Sequence, residues 1–268
     1  MGNLITTIAG FALASSNSFN LLLFIETLIG LGLIIASACV CNNYIDRIAD
    51  LKMTRTQNRP LAKGLISGKK ALIFSFILGI FGSLTLFFFT NSLALIVALT
   101  GFIIYVFPYS HFKYYTRYAT LIGSVAGAVP PVVGYVAVSN RLDLGALLLF
   151  LILILWQMPH FYAISLYRIE DYKEAKIPVL PLLKGIYRTK IHMLLYILTL
   201  IPTLMLLTLL GYTGYAYLIV ASMLSISWLI LSIRGFKVED HTKWARQMFF
   251  FSLIIIVSFS VMVSYIVI

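Results

Sequence analysis

The segment NLLLFIETLIGLGLIIASACVC, residues 20–41, is almost entirely apolar and continues directly into NNYIDRIADLKMTRTQNRP, residues 42–60. A helix needs about 20 apolar residues to cross a hydrocarbon core of about 30 Å. Similar runs recur along nearly the whole chain, which is 61% hydrophobic and 11% charged, with a mean hydropathy of +0.99. A transmembrane barrel would instead show alternating segments of about ten residues, which the sequence lacks. We therefore predict an all-α, polytopic membrane protein.

We predict nine membrane spans within a single transmembrane domain, residues 1–268. The first span has no basic segment before it and no cleavage site of the signal-peptide type, so we do not assign it as a signal peptide. No segment is long and polar enough to form a separate soluble domain. The predicted spans are residues 1–15, 20–41, 71–89, 92–108, 119–138, 144–166, 191–211, 214–233 and 247–267.

The basic residues are distributed very unevenly about these spans. Of the 20 lysines and arginines, all but Arg141 fall on one side of the predicted membrane. The positive-inside rule makes that side cytoplasmic, which places the N-terminus inside and the C-terminus, Ile268, outside. This distribution accounts for the formal net charge of +11 without a nucleic-acid partner. The partner that it indicates is the lipid bilayer.

Two loops on the predicted cytoplasmic side repeat the same pattern at an offset of 121 residues, DRIADLK at 46–52 and YRIEDYK at 167–173. We predict one leading helix followed by two parallel four-helix repeats, in which the repeat-like halves cover about residues 20–118 and 144–246. Membrane proteins built from repeats tend to place substrate sites where the repeats meet. The same offset aligns Pro60-Leu61 with Pro181-Leu182, Lys63-Gly64 with Lys184-Gly185, and Lys113 with Arg234.

Oxygen ligands follow the apolar part of the second span. Asn42, Asp46 and Asp50 are spaced i, i+4 and i+8, so a continuing helix would carry all three on one face. Carboxylate and amide oxygens suit Mg²⁺, which typically takes one or two protein carboxylates together with phosphate oxygens and water. We predict that Asp46, Asp50 and Asp171, which lies in the second loop, are catalytic. The alternative is an ordinary pair of charged loops, although five of the nine acidic residues lie there.

Cations accompany both carboxylate clusters. Arg55 and Arg59 follow the first cluster and can bind diphosphate oxygens in bidentate fashion. Lys173 follows Asp171, and the third loop offers Lys113. These residues predict a Mg²⁺–diphosphate site between the two halves. The tyrosines of the third loop fit an aromatic belt at the membrane surface at least as well as a substrate role.

WQMPHFYAIS, residues 156–165, places a histidine deep in the sixth predicted span. His160 is the only one of the four histidines well inside a span, where ionisable residues are costly and usually functional. The repeat aligns it with Cys39, so we predict that it serves the second substrate. The alternative is a neutral histidine hydrogen-bonded between helices.

Gly123 and Gly127, four residues apart, are typical of close helix packing.

Three runs of the sequence resemble the UbiA-type membrane prenyltransferases, and the resemblance covers essentially the whole chain. The runs are NNYIDRIADLKMTRTQNRPLAKG at 42–64, GSVAGAVPPVVGY at 123–135 and WQMPHFYAISLYRIEDYKEAKIPVLPLLKG at 156–185. Within the family, the chain is similar to the branch that transfers the farnesyl group of farnesyl diphosphate to a vinyl group of heme B, giving heme O and diphosphate. The resemblance implies a bacterial inner-membrane enzyme, with a terminal oxidase as a candidate partner.

The resemblance also implies nine helices around a central cavity, and it implies roles for individual residues. Mg²⁺ would bridge the diphosphate to Asn42, Asp46, Asp50 and Asp171. Heme B would be the second substrate, bound by His160 and Trp156.

Two departures from the family pattern bear on these roles. Tyr167 stands where many relatives have the first aspartate of a second pair, so the second cluster is thinner. Lys113 is followed by Tyr114, where relatives often have arginine.

The alternative function is prenyl transfer to a quinone precursor or another aromatic acceptor. A transporter would instead predict charges at mid-bilayer, whereas nearly all charges here lie at one rim.

Overall fold

The computed structural model describes residues 2–15 and 18–265, and every regular element in them is helical. Eight helices are long and apolar enough to cross a membrane, and a shorter apolar helix precedes them, which confirms the all-α, polytopic prediction. The C-terminus at Ile268 and the outermost residues of the first and last predicted spans lie outside the described residues. The helices are α1 (Gly2–Ala14), α2 (Leu21–Asp50), α3 (Gly68–Phe89), α4 (Ser92–Ile104), α5 (Ser110–Phe112), α6 (Ala119–Gly127), α7 (Val129–Ser139), α8 (Leu144–Tyr167), α9 (Ile169–Glu174), α10 (Leu180–Leu209), α11 (Tyr215–Arg234) and α12 (His241–Tyr265).

The first helix is shorter than the other spans. Helix α1 has 13 residues, which at 1.5 Å per residue make roughly 20 Å, less than the bilayer core. It packs against α7 and α12. A methyl group on Gly10 would lie 1.9 Å from the carbonyl oxygen of Pro131, and one on Gly134 would lie 2.2 Å from that of Thr7. These glycines let the two backbones touch, so α1 belongs to the bundle core.

Two helices extend well beyond their predicted spans. Helix α2 begins after the N-cap Asn20, whose side chain accepts from the backbone N–H of Leu23, and runs to Asp50. Its polar end stays helical because that face turns into the protein. Helix α10 begins at Leu180, well before the predicted residue 191, and is interrupted at Gly185 by a non-helical φ of 81°. Hydropathy marks only the apolar part of a helix, and both helices therefore extend past their predicted spans.

Two further spans are irregular where they border the interior. Helix α4 continues through a π-helical turn, Tyr105–Tyr109, which contains Pro108 and leads into α5. Such turns are frequent at functional sites. The predicted span 119–138 is divided at Ala128 into α6 and α7, with a proline in the first turn of α7.

One backbone feature recurs at the offset of 121 residues. Gly64 and Gly185, which that offset aligns, both have positive φ values, 71° and 81°. Only glycine adopts this conformation without steric cost, so both loops require it. The two-repeat organisation as a whole stays a prediction.

Candidate active site

The three polar residues at the end of α2 lie on one buried face, as their spacing predicts. Asn42, Asp46 and Asp50 are 7%, 9% and 3% exposed. A buried carboxylate is costly unless it is paired. The partners come from other helices and loops, and they differ for each residue.

Asp46 is held by the segment that follows the π-helical turn. The ammonium of Lys113 lies 2.5 Å from Asp46 Oδ2, and the Tyr114 hydroxyl donates to Oδ1 at 2.6 Å. The amide nitrogen of Asn42 donates to Asp46 Oδ2 at 3.1 Å. Its amide oxygen then accepts from Ser110 Oγ at 2.8 Å and from Lys113 Nζ at 3.0 Å. Burial lowers the pKa of the Lys113 ammonium, and the Asp46 carboxylate opposes that shift. Burial, followed by the hydrogen bond to Asp46, raises the pKa of the Tyr114 hydroxyl, which keeps it a donor.

Asp50 is paired with an arginine that reaches out from the following loop. Arg59 Nη1 lies 2.9 Å from Oδ2 and 3.2 Å from Oδ1 of Asp50. The Asp50 side chain is 4% exposed, whereas that of Arg59 is 39% exposed. The carboxylate is therefore fixed, while the guanidinium has room to turn toward another anion.

Asp171 lies on α9 and brings the second loop against the first. The Thr54 hydroxyl donates to Asp171 Oδ1 at 2.5 Å. The guanidinium of Arg168 lies 3.8 Å from Oδ2, too far for a hydrogen bond. Within the described residues, this buried Oδ2 has no hydrogen-bond partner. An unsatisfied carboxylate oxygen in the interior is suited to a cation ligand.

A polar cavity of about 290 Å³ lies among these elements. It gathers most of the predicted site residues, and its walls also contain residues that we did not assign to the site from the sequence. Asp171 stands beside the cavity, next to its wall residue Tyr172, and does not line it. The polar and charged lining residues are Asn42, Asp46, Asp50, Arg55, Thr56, Arg59, Tyr105, Tyr109, Lys113, Tyr114, Thr116, Arg117, Thr120, Ser165 and Tyr172.

The donor set fits Mg²⁺ in chemistry, although the carboxylates are not gathered in one cluster. Across residues 2–15 and 18–265, no three Asp, Glu, His or Cys side chains lie close enough to hold a metal ion together. Tyr167, aligned with Asp46 by the repeat, packs against Phe249. Among the described residues of the second half, Asp171 is therefore the one carboxylate that we place at the site. The buried Oδ2 of Asp171 fits a divalent cation, because it has no hydrogen-bond partner among the described residues and Arg168 lies only at ion-pair distance, 3.8 Å.

An apolar cavity of about 170 Å³ continues from the polar one toward the middle of the bundle. Tyr105, Gly123 and Phe161 line both cavities, so the two share a boundary. The walls of the second come mainly from aliphatic side chains and small residues of α2, α4, α6, α7 and α8. The pair is shaped for a molecule with an anionic head and a hydrocarbon tail.

Lys173 is a predicted diphosphate ligand that the structure does not bring to the cavity. Its ammonium lies 3.6 Å from Glu170 Oε2, and both side chains are largely exposed. Arg234, which the repeat aligns with Lys113, is also exposed. Arg117, in contrast, lines the cavity. Its place beside Lys113 in the third loop was the available sequence signal, whereas no pattern pointed to Thr54.

The predicted heme residues lie on a different face of α8 from the one that lines the cavities. His160 Nδ1 lies 2.6 Å from Ser252 Oγ on α12, and Trp156 Nε1 donates to the Ser252 carbonyl at 2.8 Å. The His160 and Trp156 rings stack at 4.8 Å. Neither residue lines the polar or the apolar cavity. The contacts of His160 are those of a histidine hydrogen-bonded between helices, and its predicted part in heme binding stays a prediction.

We expect His160→Ala to lower the unfolding free energy by about 2–3 kcal/mol, since it removes a buried hydrogen bond and a stacked ring. Ser252→Ala should remove only the hydrogen-bond part, about 1 kcal/mol. Thermal melting in detergent measures both, and binding of a non-hydrolysable donor analogue should stay unchanged. A heme-induced absorption shift that is lost in His160→Ala but kept in Ser252→Ala would instead support the predicted heme contact.

The fold and the paired cavities define a polytopic membrane protein with a buried polar site that opens into an apolar one. The chain belongs to the UbiA prenyltransferase family, which it matches over residues 3–254. It is 54% identical over 256 residues to the protoheme IX farnesyltransferase of Protochlamydia amoebophila (strain UWE25), covering 96% of this chain and 90% of that protein.

Solved structures of two proteins have the same fold. A digeranylgeranylglyceryl phosphate synthase superposes with a TM-score of 0.81 at 21% identity, covering 98% of this chain and 93% of the other. A UbiA homologue from Archaeoglobus fulgidus, bound to GPP and Mg²⁺, superposes with a TM-score of 0.75 at 16% identity, covering 98% and 95%.

Proposed function

We propose that this chain transfers the farnesyl group of farnesyl diphosphate to a vinyl group of heme B, giving heme O and diphosphate. The observation that carries the prenyl-transfer part is the continuity of the polar and apolar cavities, which suits a prenyl diphosphate. The acceptor rests on the 54% identity to a protoheme IX farnesyltransferase. Prenyl transfer to a quinone precursor or another aromatic acceptor is the alternative.

In this proposal the diphosphate occupies the polar cavity. Arg55, Arg59, Lys113 and Arg117 supply the positive charge that binds it. Arg59 neutralises Asp50 and has room to turn to the diphosphate, whereas Lys113 neutralises Asp46 at the wall of the same cavity. Such donors stabilise the charge that develops on a leaving diphosphate. This electrostatic stabilisation is usually the largest contribution to catalysis. The farnesyl chain extends into the apolar cavity, where few water molecules can reach the allylic cation.

Mg²⁺ is the cofactor that we propose, and the A. fulgidus homologue with bound GPP and Mg²⁺ supports a divalent metal in this fold. Asn42, Asp46, Asp50 and Asp171 would hold it. The ion, when bound, neutralises charge on the leaving group. Asp171 Oδ2 is the best-supported ligand because it is buried and lacks a hydrogen-bond partner among the described residues.

Production of heme O is the direct test of this function. The chain is expressed in a bacterial host that lacks heme O, and the extracted pigments are separated and identified by mass spectrometry. We expect heme O with the wild type and none with an equally expressed Asp50→Asn variant. The appearance of a prenylated aromatic acid in the same membranes, without heme O, would favour the alternative acceptor.

The site loops are proposed to face the cytoplasm, and the protein to lie in the bacterial inner membrane, where a terminal oxidase is a candidate partner. The contacts of Lys113 with Asp46 and of Thr54 with Asp171 join three loops at one end of the bundle. We therefore expect reporters fused near Arg55, Arg117, Lys184 and Lys237 to give the cytoplasmic signal. Opposite signals at Arg55 and Lys184 would contradict both the topology and the proposed repeat.

A further inference from the structure

One polar side chain of α8 points into the apolar cavity and has no part in the diphosphate site. Gln157, Phe161 and Ser165, spaced i, i+4 and i+8, carry the face of α8 that borders the two cavities. Gln157 is 4% exposed and lies in the apolar cavity, beyond the boundary that the cavities share. A buried amide in such surroundings is costly unless its polar atoms find partners.

The orientation of the Gln157 amide is determined by two backbone carbonyls. Its Nε2 donates to Leu153 O at 3.1 Å and to Ser124 O at 3.3 Å, which uses both N–H groups. The amide oxygen is therefore directed away from these carbonyls. No residue within 2–15 and 18–265 donates a hydrogen bond to it. The group that Gln157 offers to the cavity is consequently a hydrogen-bond acceptor.

Gly127 provides the space for this oxygen. A methyl group on Gly127 would lie 2.1 Å from Gln157 Oε1, far inside van der Waals contact. From the sequence we interpreted Gly123 and Gly127 as a packing pair, and for Gly127 the neighbour is this side chain. The glycine, the two carbonyls and the amide together form a small built site.

A hydrogen-bond acceptor at this position favours ligands that donate a hydrogen bond and disfavours anions. An anion, such as a carboxylate, would be repelled by the amide oxygen because both N–H donors are already used. A ligand with an O–H to donate is attracted, and the carbonyl dipole also favours a neighbouring positive charge. Water beside a developing carbocation meets both conditions.

We infer that Gln157 holds the water molecule that completes the transfer reaction, an inference that rests on the proposed function. The C1–O bond of farnesyl diphosphate breaks, and its electron pair leaves on the diphosphate. The vinyl π electrons form the new C–C bond to C1, which leaves a cation on the carbon next to the porphyrin ring. The water oxygen forms a C–O bond to that carbon, and its proton passes to the diphosphate. Gln157 is a positioning residue here, since it accepts from the second O–H of the water.

Product analysis of Gln157→Leu tests the inference. Without a held water, the cation instead loses a proton from the neighbouring carbon, and the product is an alkene that is lighter by one water. We expect the ratio of dehydrated to hydroxylated product to rise by about tenfold or more, the change that corresponds to one lost hydrogen bond. A purely structural role would lower the yield without moving this ratio.

Three further variants keep the test decisive. Gly127→Ala should raise the same ratio, because it displaces the amide oxygen while Gln157 is retained. Gly32→Ala, where the nearest side-chain atom would be 4.0 Å away, and Gln247→Leu, at an exposed amide of α12, are the matched controls and should leave the ratio unchanged. An unchanged ratio in both Gln157→Leu and Gly127→Ala overturns the inference alone. A wild type that yields no farnesylated heme at all overturns the proposed function.

Discussion

Asp171→Asn should lower turnover by a factor on the order of 10³ while the protein still inserts and folds. Asparagine retains an oxygen for the Thr54 hydroxyl, so the contact between the two loops survives. It replaces the buried Oδ2, which has no hydrogen-bond partner among the described residues, with an N–H₂ group, which cannot bind a cation. Initial rates of farnesyl transfer in purified membranes, measured against Mg²⁺ concentration, would show whether the loss reflects weaker metal binding.

Glu170→Gln is the matched control for this prediction. Glu170 precedes Asp171 on the same short helix and is 73% exposed, and its one ion pair within the described part of the chain is with exposed Lys173. Exposed pairs of this kind contribute about 0–1 kcal/mol, so the control should be close to wild type. If Asp171→Asn kept near-normal activity, the α2 residues alone would hold the metal ion, and the second loop would have no part in the metal site.

The first half of the site could be predicted from sequence because its geometry is local. Asn42, Asp46 and Asp50 share a helix, and the spacing of four residues places them on one face whatever the tertiary structure. Only the continuation of α2 to Asp50 had to be assumed, since the apolar run ends at about residue 41. The family resemblance then supplied the chemistry that such a face serves.

The rest of the site depends on contacts between helices, which sequence spacing does not contain. His160 was recognised as deeply placed, but the rotation of α8 decides that Gln157 borders the cavity and that His160 meets Ser252. The stripe of Gln157, Phe161 and Ser165 was available as a signal because a glutamine inside a span is unusual. Lys173 resembled a ligand in the repeat, yet α9 turns it toward solvent.

Lys113→Met should lower both stability and turnover. It tests whether the Lys113 ammonium only neutralises Asp46 or also binds the diphosphate. Its side chain is 11% exposed and lies between Asp46 and the Asn42 amide. Removing the ammonium leaves Asp46 without its cation, and breaking a buried ion pair costs about 3–5 kcal/mol. Loss of a diphosphate donor would in addition lower turnover by about 10²–10³.

Two comparison variants separate these effects of Lys113. Tyr114→Phe removes a hydrogen bond to the same carboxylate without removing charge, so it should cost less stability, about 1.5–3 kcal/mol. In Lys113→Met/Asp46→Asn the carboxylate that needs neutralising is gone, so thermal stability should largely return, while affinity for a non-hydrolysable donor analogue should be lower than in Asp46→Asn alone. Lys113→Arg should recover part of that affinity because it restores the charge. Normal donor affinity in Lys113→Met would show that Lys113 only neutralises Asp46, and Arg55, Arg59 and Arg117 would then bind the diphosphate without it.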